Sequence, residues 1–589
     1  MPDTDYRAEG LVLAEAKSLA KLPVDAVESK LAMLRSQYRV APALFGQEAL
    51  ALLREAADRT KHAPPRKHNR ALGALREVFG YPTFRAGQSD IIEAVVSGRD
   101  CLGVMPTGAG KSVTYQIPAR LLGGVTLVVS PLISLMKDQV DAMTEVGIRA
   151  TFLNSSLDPA ERSKRVVQLR AGEFELIYAA PEGIDASVGR LLETLDLKLI
   201  AVDEAHCISE WGHDFRPSYR NLAGLKQRFN GLPVLALTAT ATPRVKQDII
   251  QQLALEDPLV IRGSFFRPNL RLFAVKKGQG DGVRDMLLRL IRARRGEAGI
   301  VYCLSRKAAE STAQFLARKG VRAAAYHAGM DSQQRAATQE RFSRDNLDVV
   351  CATVAFGMGI DKSNVRFVIH RDMPRSIEGY YQEIGRAGRD GALADCVLFY
   401  SWADVMSLDR LTERAETADK EVLDQQRRAV RGMFELADSP ECLWRRLTRH
   451  FSEEIDACGE SCGTCSCFDL FEATRALRPS EHAAIDAPMR PATTRGRSRP
   501  LPPPSASESV ALGRGDGDAE AGLFDRLRAL RKQLADDRGV PAYVVFSDKT
   551  LQDMAERRPR TRAAFLEVHG VGQKKLDQYG DQFLAELGR

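Results

Sequence analysis

No run of eighteen apolar residues occurs anywhere in this chain of 589 residues, so no segment reads as a membrane-spanning helix. The first residues, MPDTDYRAEG, lack the basic-then-apolar order of a secretory signal. We therefore expect a soluble protein of the cytoplasm with no membrane partner. A large charge surplus is missing too: 84 Lys and Arg against 77 Asp and Glu leave +7. That balance suits a polyanionic partner without requiring one. Cysteine is thin over most of the chain. Cys101, Cys207, Cys303, Cys351 and Cys396 sit singly, whereas Cys442, Cys458, Cys462, Cys465 and Cys467 crowd together. In a reducing compartment such a cluster points to a metal before a disulfide. What the chain does have is length for three or four domains and 44% apolar residues, enough for full-sized cores.

The hydrophobic pattern divides the chain. Residues 1–70 combine helical spacing (Val27, Leu31, Leu34), the breakers Pro23 and Pro42, and a basic Pro-containing linker, KHAPPRKHNR. From 71 to 265 short apolar runs alternate with helical stretches: TLVVSP, LIYAAPE, LIAVDEAH, VLALTAT. Continuous apolar runs of this length predict a parallel sheet covered on both faces. The pattern restarts at GIVYCLS and continues through VRFVIH and VLFY to about residue 400. Two consecutive α/β domains with a cleft between them follow. Residues 401–470 turn helical, with Val422, Val430, Met433, Phe434 and Ala437 spaced as one buried stripe. Residues 471–520, with TTRGRSRPLPPPSASES, predict a disordered linker. Residues 521–589 predict a small helical domain.

Three motifs carry chemistry. MPTGAGKS follows the apolar run CLGV, as a strand–loop–helix phosphate cradle requires. Thr107, Gly108, Ala109 and Gly110 would let backbone N–H groups approach phosphates, and the next helix adds its positive end. Lys111 would neutralise the β and γ oxygens, and the Ser112 hydroxyl would ligate Mg²⁺. The strict pattern has glycine where this chain has Met105. In DEAH, Asp203 would hold Mg²⁺ and Glu204 would orient and deprotonate the attacking water. In YYQEIGRAGRDG, Arg386 and Arg389 are spaced to reach the γ-phosphate from the second domain. In this order the three describe an ATP-driven motor whose turnover depends on cleft closure.

The residues also resemble a family. LREVFGYPTFRAGQSDII, VVSPLISLMKDQV, DEAHCISEWGHDFRPSYR, LTATAT, YHAGM, ATVAFGMGIDKSNVRFVIH and YYQEIGRAGRDG together look like a RecQ-type DNA helicase of superfamily 2. The resemblance covers about 71–470 and resumes over 521–589, which looks like an HRDC domain. It implies two tandem RecA-like lobes (71–265 and 266–400), a helical zinc-binding module (401–470) and a small all-α HRDC domain (521–589). It implies that Arg85 and Gln88 read the adenine edge and that Tyr81 packs on the base. In WGHDFRPSYR, Trp211, His213, Phe215 and Tyr219 interleave with Arg216 and Arg220. Aromatic faces stack on bases and arginines hold phosphates. By resemblance this loop couples DNA binding to ATP hydrolysis, the alternative being aromatics packed between domains. Thr238 and Thr240 would link the nucleotide site to the DNA track. Gly183 departs from the arginine more usual in the family.

The resemblance further implies ATP-dependent 3′-to-5′ unwinding of duplex or branched DNA in recombination and repair. Single-stranded and forked DNA would be its partners, with room for a single-strand-binding or other repair protein, and the nucleoid its place if bacterial. It implies four zinc ligands: Cys442, Cys458, Cys462 and Cys465, or a set in which Cys467 replaces Cys458. Between Cys467 and Leu523 the chain is too short and polar for the winged helix that many of the family carry, which leaves weak unwinding, a DNA-stimulated translocase or a DNA-binding scaffold as alternatives. In the HRDC-like tail, Arg526, Arg528, Arg531, Lys532, Lys574 and Lys575 flank VHGVG. They are either a DNA-backbone contact or a solvated face beside a tight turn.

Overall fold

The computed structural model describes residues 45–61, 67–131, 133–154, 157–184, 187–210, 214–279, 281–357, 362–413, 420–466 and 517–588, with Leu13, Lys17, Leu19 and Leu34. It separates into two units, Met1–Arg70 and Ala71–Arg589. In the first, helix Gln47–Lys61 contributes Ala49 to a small cluster with Leu19, Leu34 and Phe45. Of the predicted stripe there, Leu34 is buried, while Val27 and Leu31 lie outside the described residues.

The second unit holds two parallel sheets. Strands β1 (Cys101–Val104), β2 (Val125–Val129), β3 (Ala150–Leu153), β4 (Leu176–Ala179), β5 (Leu197–Val202), β6 (Val234–Thr238) and β7 (Leu259–Arg262) run in the order β3-β4-β2-β5-β6-β1-β7. Strands β8 (Leu270–Lys276), β9 (Ala298–Tyr302), β10 (Ala323–Tyr326), β11 (Val349–Ala352), β12 (Val365–His370) and β13 (Ala394–Tyr400) form the second, β10-β11-β9-β12-β13-β8. The pleat explains the apolar runs. Leu127, Val129, Ile177 and Val202 enter one core, and their neighbours Val128, Tyr178 and Ala201 enter the core on the other face. A strand buried on both faces can carry few polar residues. Edge strand β7 alternates between half-buried and exposed positions, so its LVIR sends no such signal.

Strand order decides where the chemistry lies. β5, β6 and β1 are neighbours, so the loops at their carboxyl ends meet although they follow Val202, Thr238 and Val104 in the chain.

Helices Trp402–Glu413, Lys420–Asp438 and Leu443–His450 pack beside the second sheet. Val430, Met433 and Ala437 are buried as their spacing predicted, Phe434 packs partly buried against them, and the Val422 side chain lies outside the described residues. The cysteine-rich loop covers the open edge of β8: Leu272 N–H donates to Ser461 O (3.0 Å) and Gly463 N–H to Leu272 O (2.8 Å). An edge that would otherwise expose unpaired backbone is thereby closed.

The C-terminal helices, Gly517–Arg538, Ala542–Val545, Asp548–Arg557, Arg562–Leu566 and Gln573–Leu587, surround Phe546, Phe565 and Phe583. The first begins within the predicted linker, of which residues 471–516 lie outside the described residues. Among the described residues no helix is long and apolar enough to cross a membrane.

Candidate nucleotide cleft and cysteine cluster

The loop after β1 carries Thr107–Ser112 into helix Val113–Leu122. Gly108 (φ 86°) and Gly110 (φ 80°) take left-handed backbone that a side chain would strain, and a Cβ at Gly110 would lie 2.6 Å from Gln88 Nε2. Glycine is therefore required twice for the loop to curl. Lys111 Nζ reaches back to Met105 O (3.4 Å). After β5, Glu204 adopts φ 48° without being glycine, a conformation costing about 1–3 kcal/mol that concentrates at functional positions. Its N–H donates to Asp203 Oδ1 (3.0 Å), and its Oε2 lies 3.4 Å from His206 Nδ1.

These residues line one cavity of about 620 Å³. Tyr81, Arg85, Gln88, Thr107, Gly108, Gly110, Lys111, Ser112, Asp203 and Glu204 come from the first lobe, and Arg386 and Arg389 from the second. Ala109 is half-buried in the same loop. Arg386 is 8% exposed and its guanidinium lies beside Gly357, where a Cβ would sit 3.0 Å from it. Arg85 and Gln88, expected from the sequence to read adenine, are occupied with the loop itself. Gln88 Nε2 donates to Ala109 O (3.1 Å) and Gly110 O (3.0 Å), and Arg85 donates to Gly108 O. To read a base, both must exchange these bonds.

The aromatic loop divides. Trp211 and His213 lie outside the described residues. Phe215 is half-buried with the Arg220 guanidinium 5.7 Å from its ring centre. Tyr219 does not offer a stacking face: it is fully buried and its hydroxyl donates to Asp203 O (2.9 Å). Arg216 is held by Asp214 Oδ2 (3.2 Å) and Pro131 O (3.0 Å). Tyr219 thus ties the base of the loop to the DEAH turn, and Arg216 ties it to the segment that follows β2. Thr238 Oγ1 bonds His206 Nδ1 (3.0 Å) and donates to Thr240 O (2.9 Å). Thr240 in turn lines a second cavity, of about 430 Å³, with His206, Glu210 and residues of helix Lys420–Asp438. At Gly183 a Cβ would meet only Val188 at 3.6 Å, so nothing there demands glycine.

Sequence profiles match three segments: DEAD/DEAH box helicase over residues 85–249, helicase conserved C-terminal domain over 282–391 and HRDC domain over 520–587. The ATP-dependent DNA helicase RecQ of Pasteurella multocida is 38% identical, the alignment covering 89% of this chain and 94% of that protein. The RecQ proteins of Haemophilus influenzae (39%; 87% and 95%) and Bacillus subtilis (38%; 88% and 98%) match similarly. The chain belongs to the RecQ family of ATP-dependent DNA helicases. Among solved structures, the Mycobacterium smegmatis helicase Lhr bound to ssDNA and AMP-PNP gives a TM-score of 0.47 at 21% identity, covering 62% of this chain and 57% of its own.

In this RecQ helicase the four sulfurs of Cys442, Cys458, Cys462 and Cys465 lie within 4.8 Å of one another. Cys458 to Cys462 is 3.7 Å and Cys462 to Cys442 is 3.8 Å. A tetrahedron with Zn–S bonds of about 2.3 Å has edges of about 3.8 Å, so the set fits zinc. Cys467, the rival ligand, lies outside the described residues. The module also grips the segment joining the lobes. Glu453 accepts from Ser264 Oγ (2.5 Å) and Phe265 N–H (2.6 Å), and Phe451 stacks on Phe265 at 4.5 Å.

Sequence reasoning missed Arg267. Its guanidinium donates to Thr107 O (3.1 Å) in the phosphate loop and to Gly385 O (2.9 Å), Ala387 O (3.0 Å) and Gly388 O (2.8 Å) beside the candidate arginines. Burial pulls its pKa down to about 10, which leaves it charged at neutral pH. The only signal was a single charged residue within the linker SFFRPNL.

Proposed function

We propose that this helicase couples ATP hydrolysis to 3′-to-5′ movement on single-stranded DNA and opens duplex or forked DNA in recombination and repair. The observation that carries the reading is the meeting of Lys111, Asp203 and Glu204 with Arg386 and Arg389 across one cavity. Ser112 and Asp203 offer the hard oxygen donors that Mg²⁺ prefers, and the ion, when bound, neutralises charge on the β and γ oxygens. Lys111 binds the same oxygens. Glu204, aimed into the cavity by its left-handed backbone, orients the attacking water and takes its proton. Arg386 and Arg389 stabilise charge on the transferring phosphoryl group. Because they belong to the other lobe, turnover follows lobe closure. The Thr238–His206 bond and Tyr219–Asp203 bond support passing that closure to the loop at 211–220, which we assign to the DNA track with Trp211, His213 and Phe215. The four cysteines, all protein ligands, would hold structural zinc with no open position for catalysis.

Steady-state ATPase of wild type and Glu204→Gln, with and without single-stranded DNA, tests the engine. The variant is expected to bind ATP normally and lose about 10²–10⁴-fold in kcat, the usual contribution of a positioned base. Duplexes with 3′ or 5′ tails test direction. ATPase without unwinding of either would leave a translocase, and no ATPase would overturn the reading.

A further inference from the structure

The six basic residues of the HRDC domain that could have faced DNA are occupied within the protein. Arg531 is buried against Asp548 (2.7 Å), Arg526 pairs with Glu586 (2.9 Å), and Lys575 lies 5.5 Å from the Phe546 ring centre. The other three reach the lobes. Lys574 donates to Thr144 O of the first lobe, while Arg528 donates to Gly296 O (2.9 Å) and Lys532 to Arg344 O (3.1 Å) of the second. Glu145 of the first lobe accepts from Arg538 (3.1 Å) and from the Tyr579 hydroxyl (3.2 Å). The domain is thus bonded to both lobes at once.

Its GVG turn is also explained. Gly570 N–H donates to Gly80 O (3.3 Å). A Cβ at Gly80 would stand 2.3 Å from Val571 C, and one at Gly572 would stand 2.8 Å from Val78 O. Backbone lies directly on backbone, which glycine alone permits. The contact delivers His569 to the adenine-side loop: its ring centre is 5.2 Å from that of Tyr81. His569 and Lys549 both line the 620 Å³ nucleotide cavity. A third cavity, of about 850 Å³, runs between the domain and the lobe, and it shares Tyr81, Pro82, Lys549 and His569 with the nucleotide cavity. Those four residues form the partition between the two spaces. On the far side of the cleft, Lys549 Nζ comes within 3.8 Å of where a Gly391 Cβ would be, in the loop that carries Arg389.

We propose that the docked HRDC domain is the third wall of the nucleotide site, with His569 and Lys549 closing its base-and-ribose end against a nucleoside triphosphate, so that nucleotide affinity and release depend on docking. The inference rests on assigning this cavity to ATP. Opening the lobes then requires the domain to release one of them, and Lys574, Arg528 and Lys532, the cations it places on the lobes, become available to DNA only in that released form.

The test uses the full chain and a fluorescent mant-adenosine nucleotide. Wild-type binding establishes that the cavity takes ATP, independently of the wall. His569→Ala and Lys549→Ala are expected to raise KM for ATP about tenfold and to speed mant-ADP release similarly, with the change carried by KM rather than kcat. Glu145→Ala, at a position that does not line the nucleotide cavity, is expected to produce the same rise by undocking, and combining it with His569→Ala is expected to add little. His569→Phe, which keeps a ring against Tyr81, is expected to stay within about twofold of wild type. Wild-type binding with unchanged KM and release in both His569→Ala and Glu145→Ala would overturn the proposal.

Discussion

Replacing Arg267 by alanine removes four hydrogen bonds from a buried cation to backbone carbonyls in two lobes. Hydrogen bonds to a charged group contribute about 1.5–3 kcal/mol each, a gross loss of roughly 6–12 kcal/mol. Two effects offset it. The guanidinium no longer has to be desolvated, which returns several kcal/mol, and Gly388 O keeps its bond from Asn269 (2.9 Å). A net cost of about 3–4 kcal/mol remains. The functional cost is separate, because the bonds end on the carbonyls of Gly385, Ala387 and Gly388, which surround Arg386 and precede Arg389. A catalytic group displaced by about 1 Å costs on the order of 10² in rate. DNA-stimulated ATPase of Arg267→Ala is therefore expected to fall about 10²-fold in kcat, alongside an earlier chemical unfolding transition. Arg267→Lys, which keeps the charge but not the planar fork, is expected to fall between. A variant with an earlier transition but undiminished kcat would refute the reasoning, since Arg267 would then be only a clip between lobes.

Thr238→Ala loses the bonds to His206 and Thr240 O, and stimulation of ATPase by single-stranded DNA is expected to drop about tenfold while unstimulated turnover persists; equal loss in both would oppose a coupling role. Cys462→Ser is expected to reduce bound zinc, measured by elemental analysis, from one ion per chain to none and to lower Tm by several degrees; an unchanged zinc content would move the ligand set elsewhere. Burial raises the Glu378 carboxyl, but the hydrogen bond with His450 outweighs it and holds the pKa at about 2. A carboxyl depressed in the folded state adds stability above its unfolded pKa of about 4.3, and that stability is lost as pH falls towards 2. Wild type is thus expected to exceed Glu378→Gln in stability at pH 5 and to converge with it near pH 2, measured by denaturant titration across that range.

The parts of this molecule legible in its sequence are those where burial constrains residue type on both sides of a strand. β2, β4, β5 and β6 announce themselves because every residue in them except Lys198 is buried, and the adjacency of β5, β6 and β1 brings the loops at their ends together. Edge strands escaped. β7 alternates exposure, and β8 presents Arg271 to Asp395 (2.6 Å) amid its apolar positions. Individual roles were less legible than positions. Tyr219 shares its composition with the aromatics around it, yet the structure buries it as an anchor for Asp203.

The remaining omissions share one physical cause. An arginine paired with an aspartate leaves two marks in a sequence, but an arginine or lysine bonded to a backbone carbonyl leaves one, because every residue supplies that acceptor. Arg267 on four carbonyls, Arg528 on Gly296 O, Lys532 on Arg344 O and Lys574 on Thr144 O are all of this kind. Read along the chain, each looks like a solvated or DNA-facing charge. In the fold they join lobe to lobe and HRDC domain to both. A modest net charge of +7 therefore overstates the cationic surface available to DNA while the domain is docked. The salt dependence of DNA binding counts neutralised phosphates, so Glu145→Ala, which frees the domain, is expected to steepen that slope. A slope equal to wild type would mean that these cations stay engaged within the protein even when the Glu145 contacts are gone.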